Sequence, residues 1–480
     1  MGTRDYLFIG MVLGLGGVTS LSHTAHAQPL VVDSEESEGH GLRVGNLEFH
    51  PGIGAEVGVE TNPFLESDQV ASSSQSILTV NEDSKPGATF RVTPHFAVST
   101  IGLERLTEAD GEYKPPAFAL RGGISGTMMW TGVGPGDPTA DGIGQTRFMG
   151  DADLEEMFLP ERPFSVVLQQ EGRITQLPVQ GVQSNHYHLG AGGRVEFGSS
   201  GGLLRAHLGY KFNFERFDSA QNDGHSHNLT QRVTWEFLPK TALFQELDLL
   251  FNNYDDSDQI TVLLSDKADS VRTTTRVGVN GAISKELMTT LAIGYGAVFF
   301  GDGQGDREAE TVVGQAQLTY RPSKRTAGWL TYSRQLNASL QGNTVRINNF
   351  HLKGEFMVGK HLTLRPGGRL LFFNYGNDNQ QALFSSRIND RAFLSSLDLV
   401  TGGVRADVRV TLEFEAEYRL TDWFAFTALG RYDNNISKYA YVFPEPSSLD
   451  DVTASDAAIR FVSPVGYTNV VGLLGVRAAL

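Results

Sequence analysis

Residues 404–420 carry an ionisable or hydroxyl side chain at every odd position: Arg405, Asp407, Arg409, Thr411, Glu413, Glu415, Glu417 and Arg419. The even positions are Val404, Ala406, Val408, Val410, Leu412, Phe414, Ala416, Tyr418 and Leu420. Side chains alternate faces along a strand, so one face is charged and the other apolar. A helix, turning about 100° per residue, would scatter the same charges around its circumference. Carboxylates and guanidinium groups spaced this way can line a water-filled wall, where cross-strand neighbours of opposite sign neutralise each other. Arg365, Arg369 and Arg431 carry the same face onto neighbouring segments. Arg365, Arg369, Arg405, Asp407, Arg409, Glu413, Glu415, Glu417 and Arg431 are therefore the lumen-lining candidates. They fit two roles: passage of a polar or charged chain, or plain salt bridges that hold a wall.

Other chemistry is poorly supported. The chain has no cysteine, which removes thiol catalysis and cysteine metal sites. No nucleophile elbow, phosphate loop or paired catalytic constellation occurs, so an enzyme is not expected and no catalytic residue is assigned. His225-Ser226-His227 and Asp255-Asp256-Ser257-Asp258 lack a complete ligand set, and the Gly301–Asp306 turn lacks a bidentate glutamate. No metal and no cofactor is expected. The segment 376–403 is too apolar for a loop in water, with Ala382-Leu383-Phe384, Ile388, Phe393-Leu394 and Leu397. It is expected to fold into the lumen as a constriction carrying Arg387, Asp390 and Arg391, or else to serve as a lid or partner contact. Tyr439, Tyr441 and Phe443 could stack on sugar rings or extend a strand above the membrane.

The elements that position these residues recur along the chain. Alternating segments run at 49–60, 88–99, 118–130, 146–159, 164–175, 187–197, 204–214, 227–237, 242–254, 271–283, 287–299, 312–321, 327–336, 346–357, 362–375, 404–420, 424–432 and 470–480. That is eighteen strands, or sixteen if 146–159, with its acidic residues, and 327–336, with Arg334, are discounted. Their connections take turns. Short ones lie at 160–163, 198–202, 238–241, 284–286, 322–326, 358–361 and 421–423. Longer polar ones lie at 61–85, 131–145, 176–186, 218–226, 255–270, 301–310, 337–345, 376–403 and 434–464, with 101–116 a long connection on the short side. Short periplasmic turns and long external loops are the pattern of outer-membrane barrels. The expected fold is all-β, a transmembrane antiparallel up-and-down β-barrel in the cell outer membrane, with both termini periplasmic. Hydrocarbon offers no partner to a free N–H or C=O, so such a sheet must close. Trp130, Trp235, Phe237, Trp329, Tyr332, Trp423 and Phe424 fall near strand ends, as an interfacial girdle would. Pro51, Pro94 and Pro366 cannot donate to a ladder and are expected at bulges or above the bilayer.

The N-terminus reads as a secretory signal peptide over 1–27, with Arg4, an apolar run from Tyr6 to Val18, and Ala25-His26-Ala27 before the cut. Residues 28–48 read as a polar periplasmic lead-in and 49–480 as the barrel. The net charge of −16 argues against nucleic acid as a partner. Outer-membrane lipid is the expected surrounding.

The first barrel segment, from His50 through Thr61-Asn62-Pro63-Phe64, resembles that of Gram-negative outer-membrane barrel porins associated with exopolysaccharide export. The resemblance implies a large barrel and a route for a secreted polysaccharide, with periplasmic export components as separate partner chains. A general diffusion porin, or a non-conducting surface adhesion or scaffold barrel, are the alternatives.

Overall fold

The alternating segments assemble into one closed antiparallel sheet. The computed structural model describes residues 41–63, 86–100, 117–133, 145–160, 162–179, 182–198, 203–217, 223–238, 240–254, 269–301, 309–338, 344–376, 405–437, 440–444, 459–464 and 466–480. A short strand, β1 (Leu42–Val44), folds back on the first wall strand, β2 (Leu47–Glu60). The wall continues through β3 (Gly87–Thr100), β4 (Phe118–Val133), β5 (Gln145–Phe158), β6 (Phe164–Val179), β7 (Val182–Phe197), β8 (Leu204–Phe217) and β9 (Gly224–Leu238). It runs on through β10 (Thr241–Tyr254), β11 (Ser270–Ala282), β12 (Leu287–Phe300), β13 (Ala309–Ser323), β14 (Thr326–Ala338), β15 (Thr344–Val358) and β16 (Leu362–Tyr375). After β17 (Ala406–Arg419) and β18 (Phe424–Ser437), a separate hairpin of β19 (Ala440–Pro444) and β20 (Ile459–Pro464) precedes the last wall strand, β21 (Tyr467–Ala479). Each wall strand pairs with its neighbours along the chain, and β2 pairs with β21 from Gly52↔Ala479 to Glu60↔Val471. That seam makes an eighteen-stranded barrel with no free edge, and among the described residues no helix interrupts it.

Exposure is inverted relative to a soluble protein. Leu412, Ile293 and Leu474 are 54, 63 and 66% exposed, whereas Asp407 and Glu417 are 2 and 3% exposed. Apolar side chains form the outer surface and ionised ones the inner, the arrangement that a hydrocarbon surrounding and a polar bore demand. The outer band ends in aromatic contacts beside the short turns: Phe118 against Phe158, Phe164 against Phe197, Trp235 against Phe237, and Trp423 against Phe424. Trp329 departs from the expected girdle. It stands one residue out of phase with the exposed Leu330 and faces the bore, within cation–π reach of Arg321 and Lys353.

The prolines are accommodated without bulges. On either side of Pro94 the β3–β4 register is unchanged, from Val92↔Met128 to His95↔Ser125, which sets Gly126 opposite the ring. Likewise the β15–β16 register holds from Lys353↔Gly367 to Phe356↔Leu364 and sets Gly354 opposite Pro366. Each proline therefore costs ladder bonds on one side only; at Gly354 a side chain would press on the Pro366 ring, whereas at Gly126 there is open space. Pro51 lies where β21 ends, and its carbonyl still accepts the Leu480 amide at 3.0 Å.

One connection differs from expectation. Residues 176–186 are not a loop, because β6 and β7 continue as a ladder up to Val179↔Val182. The segment expected as the lead-in contains β1 and the start of β2, at 42–44 and 47–48. The signal segment 1–27 lies outside the described residues.

Candidate functional site

Alternation places the functional side chains on the inner wall, and strand register decides which of them meet. Arg365, Arg369, Arg405, Asp407, Arg409, Glu413, Glu415, Glu417 and Arg431 all share the inward face of β16–β18 or its approach, opposite in phase to the exposed Leu412, Phe414, Tyr418 and Phe426. They gather around three buried carboxylates. Asp407 takes two guanidinium contacts from Arg405, one of them Nε at 2.7 Å, and a hydroxyl bond from Ser437. Asp433 holds Arg409 in a two-pronged contact, Arg431 at 3.1 Å and the Thr411 hydroxyl at 3.2 Å. Glu417 holds Arg419 at 2.8 Å, Arg477 at 3.1 Å and Arg365 at 3.5 Å. Arg365 also reaches Glu355 at 3.3 Å and Glu415 at 3.9 Å.

The order of depth matters. Glu417 and Asp433 are 3 and 5% exposed, whereas Arg365, Arg409, Arg419 and Arg431 are 15–26% exposed. The carboxylates lie against the sheet and the guanidinium groups stand over them. A buried carboxylate is tolerated where hydrogen-bonded cations compensate it, and a guanidinium with five N–H donors keeps some free for the bore. Around Asp433 and Glu417 the inner wall thus presents donors foremost, whereas the Arg405–Asp407 pair is buried as a unit and Glu355 stands more open than its partner Arg365.

Ion pairs tile the rest of the bore. Arg91 binds Glu56, and Arg147 binds Glu60 at 3.5 Å and the Pro63 carbonyl at 3.2 Å. Glu171 takes His188 at 2.7 Å and Lys211 at 2.6 Å. Arg194 joins Glu155 and Glu196, and Glu246 joins Arg232 and Arg276. Asp433, Glu246, Glu171, Arg147 and Arg477 were not among the expected lining residues. Strand phase alone could have found them, since each is in step with an inward residue of its own strand.

A second feature escaped the alternation rule. The β13–β14 ladder ends at Gly314↔Arg334, although β13 remains paired to β12 up to Ala309. Above that point β14 leaves the wall and lies across the inner faces of β13, β12 and β11. Leu336 packs in a buried cluster with Val298, Phe300 and Val313. Arg334 Nη2 donates to the Thr311 hydroxyl at 3.0 Å, and Arg272 Nη1 of β11 donates to Asn337 Oδ1 at 2.5 Å. Beside this end, Val345 and Ile347 of β15 pack with Leu371, Phe373 and Tyr375 on the inward side. Unbroken apolar runs, Leu370-Leu371-Phe372-Phe373 and Val298-Phe299-Phe300, mark the places where the bore side is covered by protein as well. The bore is therefore narrowed toward its outer end by wall strands. The constriction expected from Arg387, Asp390 and Arg391 lies outside the described residues, as do Asp255–Asp258 and Tyr439. His225 and His227 sit within β9, where Tyr210 bonds the ring of His227 at 2.7 Å, rather than in a loop.

A closed eighteen-stranded wall, greasy outside and ionised inside, fits a lipid bilayer and nothing aqueous. A family model described as "Putative beta-barrel porin 2" matches residues 174–364. The chain is an outer-membrane β-barrel. Among solved structures, the barrel is similar to the siderophore receptor PirA from Pseudomonas aeruginosa, at 9% identity and TM-score 0.38, over 90% of this chain and 80% of that one. PirA from Acinetobacter baumannii matches at 8% identity and TM-score 0.42, over 92 and 81% of the two chains. The FrpB iron transporter from Neisseria meningitidis matches at 9% identity and TM-score 0.40, over 90 and 81%. No curated protein matches the outer-membrane barrel.

Proposed function

We propose that this barrel is a channel through which a secreted polysaccharide crosses the outer membrane. The supporting observation is the depth order on the inner face of β16 to β18, where buried Asp433 and Glu417 lie beneath the more exposed Arg365, Arg409, Arg419 and Arg431. A donor-rich surface whose charge is neutralised from behind can exchange hydrogen bonds with a hydroxylated or weakly acidic chain without trapping it, as conduction requires. Export components in the periplasm would deliver the chain to the mouth that holds both termini. No catalytic chemistry and no cofactor belong to this reading.

A general diffusion porin is the second reading, favoured by the description of the matching family. Deletion of the gene separates the two. Loss of surface glycan staining with small-solute uptake intact supports polymer export, and the reverse supports a diffusion porin. A barrel that shows no conductance in planar bilayers and no effect on either would be a surface scaffold.

A further inference from the structure

Trp329 stands just inside the periplasmic mouth, close to the Thr326 end of β14. It is half-buried, and the register sets it between Thr319 of β13 and Lys353 of β15. Arg321 and Lys353 share its inward phase, because Tyr320, Leu330 and Leu352 beside them are exposed on the lipid side. Their charges stand 5.9 and 6.0 Å from the indole ring, at the outer limit of about 6 Å for cation–π attraction. Ion pairs tile the bore, yet among the described residues neither of these cations takes part in one. Glu355, on the same face of β15 as Lys353, is held by Arg365 at 3.3 Å. Glu286, whose carbonyl accepts the Arg321 amide, has its carboxylate on the Ser284 hydroxyl at 2.8 Å.

The turns around this mouth carry the same sign. The connections β9–β10, β11–β12, β13–β14 and β15–β16 all lie at the periplasmic end of the antiparallel wall. They hold Lys240, Lys285, Lys324, Arg325 and Lys360, all exposed, against the single carboxylate of Glu286. None of these cations pairs with a carboxylate among the described residues. In a chain of net charge −16, this arc is a local reversal of sign. Its field reaches roughly 8 Å into the periplasm at physiological salt and raises the local concentration of polyanions. An aromatic face attracts the polarised C–H groups of a sugar ring, and ammonium and guanidinium groups bind carboxylates. The arc, the indole and its flanking cations together match an acidic sugar chain arriving from the periplasm.

We propose that Trp329, Arg321 and Lys353 form the entry subsite for an anionic polysaccharide, a sugar ring on the indole and its carboxylate between the two cations. The subsite rests on the polymer-export reading and narrows its cargo to acidic chains. The test measures binding of hexagalacturonate to the full-length barrel in detergent, with maltohexaose as the uncharged probe of equal length. The acidic probe should bind about tenfold more tightly, and the preference should shrink as salt rises. Arg321→Gln combined with Lys353→Gln should abolish the preference. Trp329→Ala should weaken both sugars, and Trp329→Phe should keep most of the binding, with heat-modifiable gel migration confirming a folded barrel in each case. In planar bilayers the acidic probe should block current at lower concentration from the periplasmic face than from the outer one. Equal affinity for the two probes, an unchanged double variant, or release of the probe by phosphatidylglycerol, which would assign the cations to lipid headgroups, would each overturn the subsite. Gene deletion keeps this apart from the export reading. Lost surface glycan with no preference for hexagalacturonate rejects the acidic subsite alone, whereas selective binding with surface glycan unchanged rejects export while the subsite stands.

Discussion

Arg272 of β11 donates to Asn337 of β14 at 2.5 Å, although β12 and β13 lie between their strands in the wall. The bond exists because β14 gives up its ladder to β13 above Arg334 and crosses the inside of the barrel. Asn337→Ala removes the acceptor of a charged donor, a loss of about 1.5–3 kcal/mol. The freed end should move back toward the wall, and single-channel conductance in planar bilayers should rise. A conductance equal to that of the parent would show that this end does not limit the bore.

Asp433 compensates two arginines from a nearly buried position. Asp433→Asn leaves Arg409 and Arg431 without their carboxylate. Breaking such a pair from one side costs about 3–5 kcal/mol, visible as a lower temperature for loss of the compact species on gels. The same variant should shift reversal potentials toward anion selectivity, because two cations gain influence over the bore. A shift toward cations would contradict the placement of these side chains.

The two faces of β17 make opposite predictions. Leu412→Arg puts a charge into the lipid band and should destabilise the folded barrel by about 2–4 kcal/mol if it sits near midplane. Glu413→Gln, one residue along and inside the bore, should change stability by less than about 0.5 kcal/mol and alter selectivity instead. Urea titration in lipid vesicles measures both, and equal effects would refute the facing assigned here.

Closure depends on the absence of a side chain at Gly58. A Cβ there would sit 1.8 Å from the Gly472 carbonyl oxygen and 2.8 Å from the Leu473 Cα, both backbone and unable to step aside. Gly58→Ala should therefore slow or block the β2–β21 seam and lower the fraction of heat-modifiable barrel. Gly472→Ala, whose added carbon would meet nothing within 4 Å, should assemble like the parent.

Much of this was legible in the sequence. Strict alternation in segments such as 404–420 gives the face of every residue once one is known, and the short and long connections give the strand count. Prolines were a poor guide, because the ladder keeps its register across Pro94 and Pro366, and register is not visible in one strand alone. Trp329 lies near a strand end, but phase against the exposed Leu330 turns it into the bore, beside Arg321 and Lys353. The inward turn of β14 was not legible. Arg334 looked like a flaw in a weak strand, when it marks where the strand leaves the sheet. Which arginine meets which carboxylate depends on long-range register, as with Glu417 and Arg477, and pattern within one strand says nothing of that.

The β6–β7 ladder continues to Val179↔Val182, whereas β5 stops pairing with β6 at Ile174. A ribbon that outlasts its neighbour in this way stands above the cell surface as a post. Its main-chain bonds alone hold it there, since β8 also stops pairing with β7 at His186.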